Sequence, residues 1–317
     1  MPKSIKINSN PKNKKVVVFD LDETLGSFGE LGALCNVLDE YYGNRQTSYD
    51  IFNDLMELYP EFIRPQIFNI LKYILKKKKE DKCKYIMIYT NNQDRVWVEH
   101  VKTYFEKKLK SKIFEQIICA FKVDGRVLEL NRTTQEKTVD DFFRCTKLPR
   151  DIEICFVDDL FHPQMEEDSV YYIHVKAYKH YIPSSTLVDR YMNSHLTKNV
   201  KNKDELRSYM MSKLKYNITE KSKEEQEVDI IVSKRLLEHI KEFFKKDEGG
   251  SRGDGSGAIS QSPHHSHPHF DISGKHKSFK RTNAASKRNK TLKKNSQFKG
   301  KIKFNLRCFW NTTPDLL

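Results

Sequence analysis

Five short runs punctuate the first 175 residues of the chain: residues 16–19, 84–89, 117–121, 152–157 and 170–175. They are mostly apolar and only four to six residues long, which suits buried strands and is too short for helices. Between them the apolar positions change to helical spacing. Leu31, Leu34, Val37, Leu38 and Tyr41 share one face, and Ile51, Leu55, Met56 and Tyr59 share another. Residues 66–79 predict a clearer amphipathic helix, with Pro65 at its start and the Lys76–79 run at the negative end of its dipole. Helices are also predicted over 94–109 and 138–145. Val123-Asp124-Gly125-Arg126 signals a hairpin returning through 127–130. Strands alternating with helices predict an α/β fold, with five mostly parallel strands connected right-handedly and covered on both faces. Residues 184–246 predict further helices, marked by Leu187, Tyr191 and Leu196 and by Ile230, Ile231, Leu236, Leu237, Ile240 and Phe244. They would dock on the core or serve oligomerisation.

Polar residues follow these strands abruptly. Asp20, Asp22 and Thr24 come directly after the first run on alternate positions, and Gly26 closes the segment. In an extended chain alternate residues point the same way, so two carboxylates and a hydroxyl converge where open α/β sheets bind ligands. Adjacent carboxylates repel unless a cation lies between them, and an all-oxygen set suits Mg²⁺. Thr90-Asn91-Asn92 ends the second strand. It fits either oxyanion donors or an N-cap for the helix that follows. Lys137 opens the 138–145 helix, whereas Lys147 follows it and is the weaker candidate for contact with an anion. Asp158-Asp159 ends the fourth strand.

Asp20-Leu-Asp22-Glu-Thr24-Leu after a strand resembles the first motif of haloacid dehalogenase (HAD) superfamily phosphatases. The closest resemblance is to the NIF-like branch that dephosphorylates the C-terminal domain of RNA polymerase II. Thr90, Lys137 and Asp158-Asp159 follow in the order of that superfamily's later motifs, and Arg64-Pro65 resembles the branch's entry into the second. The branch usually has Gly where this chain has Gln66, and Asp-Asn where it has Asp158-Asp159. The resemblance covers about residues 15–180. It implies a Rossmann-like HAD core with the first strand between the second and fourth, and a Mg²⁺-dependent hydrolase of phosphomonoesters. Asp20 would be the nucleophile and Asp22 the acid and base, with Lys137 holding nucleophile and phosphate. Thr90, Asn91 and Thr24 would serve the phosphoryl group and its loop. Asp20, Asp22 (through its carbonyl), Asp158 and Asp159 would form the metal set, with Asp159 binding directly, through water, or holding Lys137. The substrate class implied is phosphoserine or phosphothreonine on a protein. The alternatives are a polynucleotide 3′-phosphatase, as in polynucleotide kinase-phosphatases, and a non-catalytic binding protein.

Composition divides the chain. Residues 275–307 hold ten Lys and three Arg and no acid, so nearly all of the +14 net charge belongs there. The expected organisation is a flexible basic extension over 1–14, a catalytic core over 15–182 with a small cap insert at 26–64, and helices over 183–246. A Gly/Ser/His linker over 247–274 and a disordered basic tail over 275–317 follow. The tail offers charge for nucleic acid, and Phe279, Phe298 and Phe304 interleave it for stacking. The histidine tract 264–269 reads as a polar segment or a transition-metal binder. Six scattered cysteines without a Cys-x-x-Cys pair fit buried free thiols in a reducing compartment. No apolar stretch reaches the ~18 residues of a membrane span, so a soluble intracellular protein is expected. The Lys/Asn/Ile/Tyr-rich vocabulary points to an AT-rich genome such as that of a large DNA virus.

Overall fold

A strand with no polar face is stable only where neighbours cover both its edges and both its faces. In the computed structural model, which describes residues 14–44, 46–214, 220–245 and 269–273, the first apolar run has such cover. Strand β1 (Lys15–Phe19) is followed by α1 (Gly29–Tyr42), α2 (Tyr49–Leu58), α3 (Ile67–Lys79), β2 (Tyr85–Tyr89), α4 (Arg95–Leu109) and β3 (Phe114–Ile118). The hairpin strands β4 (Lys122–Val123) and β5 (Arg126–Val127) lead to α5 (Val139–Thr146), β6 (Glu153–Asp158) and β7 (Val170–Val175). Helices α6 (Ser184–Met192), α7 (Lys203–Lys213) and α8 (Lys223–Lys245) precede a last strand, β8 (Phe270–Ile272).

The sheet has the order β3-β2-β1-β6-β7-β8, and every neighbouring pair is parallel. The first strand therefore lies between the second and the fourth main strands. Phe19 sits opposite Ile88 and Val157, so the residues following β1, β2 and β6 emerge side by side at one edge. Alternate residues of β1 enter different cores. Val17 and Phe19 join the larger one, which takes residues from α1 to α4 and α6 to α8. Val16 and Val18 join the smaller one, formed with Val139, Phe142 and Phe143 of α5. Helices α6 to α8 thus dock on the core, through Leu187, Val188, Leu206, Met210, Leu236 and Phe243. No helix among the described residues is long and apolar enough to cross a membrane. The five described cysteines are buried free thiols. Cys308 and nearly all of the 1–14 extension lie outside the described residues, as do residues 275–317 and most of the histidine tract.

Several expectations need correction. The sheet has six strands, not five, because residues 270–272 of the expected linker pair with β7. Three residues are too few to display a pattern in sequence. The third strand begins at Phe114 instead of residue 117, because Glu115 and Gln116 are bound despite being polar. Glu115 accepts a hydrogen bond from the Ile86 amide (2.8 Å), and Gln116 donates to the Cys145 carbonyl (2.9 Å). The hairpin turns at Asp124 and Gly125, with φ of 45° and 79°, but its ladder ends at Val127 and leaves Leu130 84% exposed. Pro65 lies outside α3, and Gln66 at its N-cap has φ 63°, a left-handed conformation that favours glycine.

Gln66→Gly is therefore expected to stabilise the protein by about 0.5–1 kcal/mol. Urea unfolding checks this as a higher midpoint at unchanged slope.

Candidate active site and metal centre

The segment leaving β1 is a closed loop held from several sides. The Asp20 amide extends the ladder to the Val157 carbonyl (2.9 Å), and the Glu23 amide donates to the Gly26 carbonyl (2.7 Å). A Cβ on Gly26 would lie 2.6 Å from the Phe62 carbonyl oxygen and 2.5 Å from the Phe28 ring, so only glycine fits there. Arg64, buried under the loop, donates from Nε to the Thr24 carbonyl (2.5 Å) and from Nη2 to the carbonyls of Glu23 (2.6 Å) and Lys176 (2.8 Å). Burial lowers the Arg64 pKa to about 10, although Asp159 and other acids oppose the shift.

Asp20, Asp158 and Asp159 come together at the end of β1 and β6, with one oxygen of each within 4.8 Å of the others. Lys137 enters from the segment before α5 and is 2% exposed. Its Nζ lies 2.5 Å from Asp20 Oδ1 and 2.6 Å from Asp158 Oδ2. Asp158 Oδ1 accepts from the Leu160 amide at 2.8 Å. Thr24 donates its hydroxyl to Asp159 Oδ1 (2.9 Å) and accepts the Asp159 amide (3.1 Å). Asp158, not Asp159, therefore holds Lys137, and Thr24 is committed to Asp159.

Three carboxylates facing one ammonium are short of positive charge. Burial pushes the Asp20 carboxyl well above its ordinary value against the pull of Lys137, and Asp158 and Asp159 add to the rise. Burial and then Asp158 raise Asp159 to about 6. For Asp158, burial opposes ionisation, but Lys137 and His162 together outweigh it and lower the pKa. Burial also works against the charge of Lys137, yet Asp158 and Asp20 outweigh it and raise the pKa. With all three acids ionised, two negative charges remain uncompensated, which one divalent cation would balance. The donor set is all oxygen and buried, so the cluster can hold a metal ion of the hard class.

Asp22 stands apart from this trio. Its Oδ2 accepts from Asn92 Nδ2 at 2.9 Å, and burial raises its pKa despite that bond. Thr90 is 1% exposed and accepts the Asn92 amide on its hydroxyl oxygen (3.0 Å), which leaves its own hydrogen available to donate. Asn91 is exposed at the same edge. The cap of α4 is Asp94, which accepts from the amides of Val96 and Trp97, so neither Thr90 nor Asn91 caps that helix. Lys147 ends α5 in a left-handed conformation (φ 56°), where Lys137 precedes the helix and reaches the acids.

Two neighbours carried no sequence signal of their own, and a third carried little. Arg132, buried, donates to the carbonyls of Thr90 (3.2 Å), Cys119 (2.8 Å), Gln135 (2.9 Å) and Glu136 (3.2 Å). It thereby joins the end of β2 to the segment that carries Lys137. His162 is buried with Nε2 3.5 Å from Asp158 Oδ2 and Nδ1 3.3 Å from Glu136 Oε2. Asn92 was legible only as the third polar residue after β2. No protein-family model, curated protein or solved structure matches the chain.

Asp159 gives a pH signature. Its pKa of about 6 in the fold lies above the ordinary aspartate value of 3.8, so the stability it contributes is present at low pH and lost as pH rises through about 6. Asp159→Asn, which keeps an oxygen for Thr24, is expected to stabilise the metal-free protein at neutral pH by about 2 kcal/mol. It should also flatten the stability profile between about pH 4 and pH 7. Urea unfolding in chelator checks both.

Proposed function

We propose that the chain is a Mg²⁺-dependent phosphomonoester hydrolase working through an aspartyl-phosphate. The observation that supports it is the buried Lys137 ammonium bridging Asp20 and Asp158, with Asp159 close enough to share a cation. Lys137 holds Asp20 by Oδ1, which leaves Oδ2 to attack phosphorus. The new Asp20–phosphorus bond forms as the ester P–O bond breaks, and Asp22 gives its proton to the departing oxygen. Asp22 then takes a proton from water, whose oxygen displaces Asp20 and releases orthophosphate. The Thr90 hydroxyl and the Asn91 amide donate to the phosphoryl oxygens, and Lys137 offsets their charge. Mg²⁺ among Asp20, Asp158 and Asp159, with the Asp22 carbonyl, would supply further neutralising charge to the transferred group.

Phosphoserine or phosphothreonine on a protein is the substrate class that the resemblance favours. The cationic residues that follow β8 favour a second class, the phosphorylated end of a polynucleotide. Either is a macromolecule, in keeping with the short inserts around the site.

Asp20→Asn tests the reaction. Mg²⁺-dependent hydrolysis of p-nitrophenyl phosphate is expected to fall about a thousandfold or more, with an unchanged circular dichroism spectrum. Full turnover in that variant would remove Asp20 as nucleophile.

A further inference from the structure

The turn after β2 is fixed by hydrogen bonds from main chain and side chain alike, and one of them ends on Asp22. Asn92 donates its amide to Thr90 Oγ1 (3.0 Å) and accepts the Ala120 amide on its carbonyl (3.1 Å). Its side-chain Oδ1 accepts the Asp94 amide (2.9 Å), and its Nδ2 donates to Asp22 Oδ2 (2.9 Å). The two ends of a side-chain amide have the same shape and are told apart only by their partners. Here one partner is a backbone N–H, which needs an acceptor, so Oδ1 belongs at Asp94 and Nδ2 at Asp22. Asp94 is itself held at the start of α4 by the amides of Val96 (2.9 Å) and Trp97 (3.0 Å).

This arrangement selects between the two oxygens of Asp22. The C=O end of a neutral carboxyl is the better acceptor, so an N–H facing Oδ2 places the acid proton on Oδ1. No described residue donates to Oδ1, which is left open to a ligand. At the other end of the turn, Thr90 accepts the Asn92 amide on its hydroxyl oxygen and keeps its hydrogen to donate. Asn92 thus joins groups that would act on either side of one breaking bond, Thr90 at the phosphoryl oxygens and Asp22 at the departing oxygen.

On the hydrolase reading above, we propose that Asn92 is a positioning residue that aims the Oδ1 proton of Asp22 at the ester oxygen, and so extends cleavage to alkyl phosphates. In that step Asp20 Oδ2 bonds to phosphorus. The ester P–O bond breaks with its electron pair on the leaving oxygen, and that oxygen takes the Asp22 proton. An alkoxide is too basic to leave readily without a proton, whereas p-nitrophenolate is a stable anion and leaves almost unaided. Holding the acid in one orientation therefore matters chiefly for the first kind of ester.

Two variants separate this role from support of the fold. Asn92→Ser keeps a side-chain oxygen for the Asp94 amide and removes the donor to Asp22. Asp94→Ala removes the α4 cap and keeps that donor. The measurement is kcat/KM in Mg²⁺ for glycerol 2-phosphate and for p-nitrophenyl phosphate. It covers the steps up to departure of the leaving group, so the later hydrolysis of the aspartyl-phosphate, common to both esters, does not enter. Asn92→Ser is expected to lower it about a hundredfold for glycerol 2-phosphate and about threefold for p-nitrophenyl phosphate. Asp94→Ala should change both esters by the same factor. Equal effects of Asn92→Ser on the two esters, including none, overturn the proposal, because a purely structural residue affects both alike. So does the same selectivity in Asp94→Ala, or a native chain that cleaves the aryl ester alone. Each of these results leaves the hydrolase reading intact. A native chain that releases no phosphate from either ester overturns that reading and the proposal with it.

Discussion

One buried ammonium holds the candidate site together. Lys137 reaches Asp20 and Asp158 from a segment outside the sheet, and it is the one lysine or arginine paired with the trio among the described residues. Ion pairs so enclosed add little net stability, because removing charge from water costs most of what attraction returns. Their larger effect is on arrangement. Two strand ends and the segment before α5 can meet only in the geometry that lets the lysine touch both acids. Loss of the lysine leaves buried carboxylates with no counter-charge, which is far more unfavourable than an intact pair.

The surroundings add to this enforced arrangement. Arg64 satisfies three carbonyls beneath the loop after β1, and Thr24 joins that loop to Asp159 in both directions. Asn92 holds Asp22 while its own amide is held by Thr90. Hydrogen bonds of this kind fix directions before any ligand arrives, and preorganised donors are the main source of charge stabilisation in polar sites.

Much of this was legible in the sequence because parallel strands constrain composition so strongly. A strand buried on both faces must be apolar, so Asp20, Thr90 and Asp158 stand out as the places where that requirement ends. The order of β1, β2 and β6 followed from the resemblance. Arg132 and His162 were not legible. Their partners are backbone carbonyls and a carboxylate brought together from separate segments, and no spacing along the chain encodes such meetings. The polar residues of β3 hid its start because its edge position allows them partners outside the apolar layer. Gln66 shows the reverse case, a residue whose type gives no hint of its left-handed backbone.

Arg132 has a consequence for the stretch between β3 and Lys137. By gripping the carbonyls of Thr90 and Cys119 on one side and Gln135 and Glu136 on the other, it resets the path of the chain after the β4–β5 hairpin. Whatever the hairpin does upstream, the lysine restarts from the same origin. The turn at Asp124-Gly125 is therefore a place where the chain can be lengthened, shortened or grafted with a foreign loop without moving the charge at the centre.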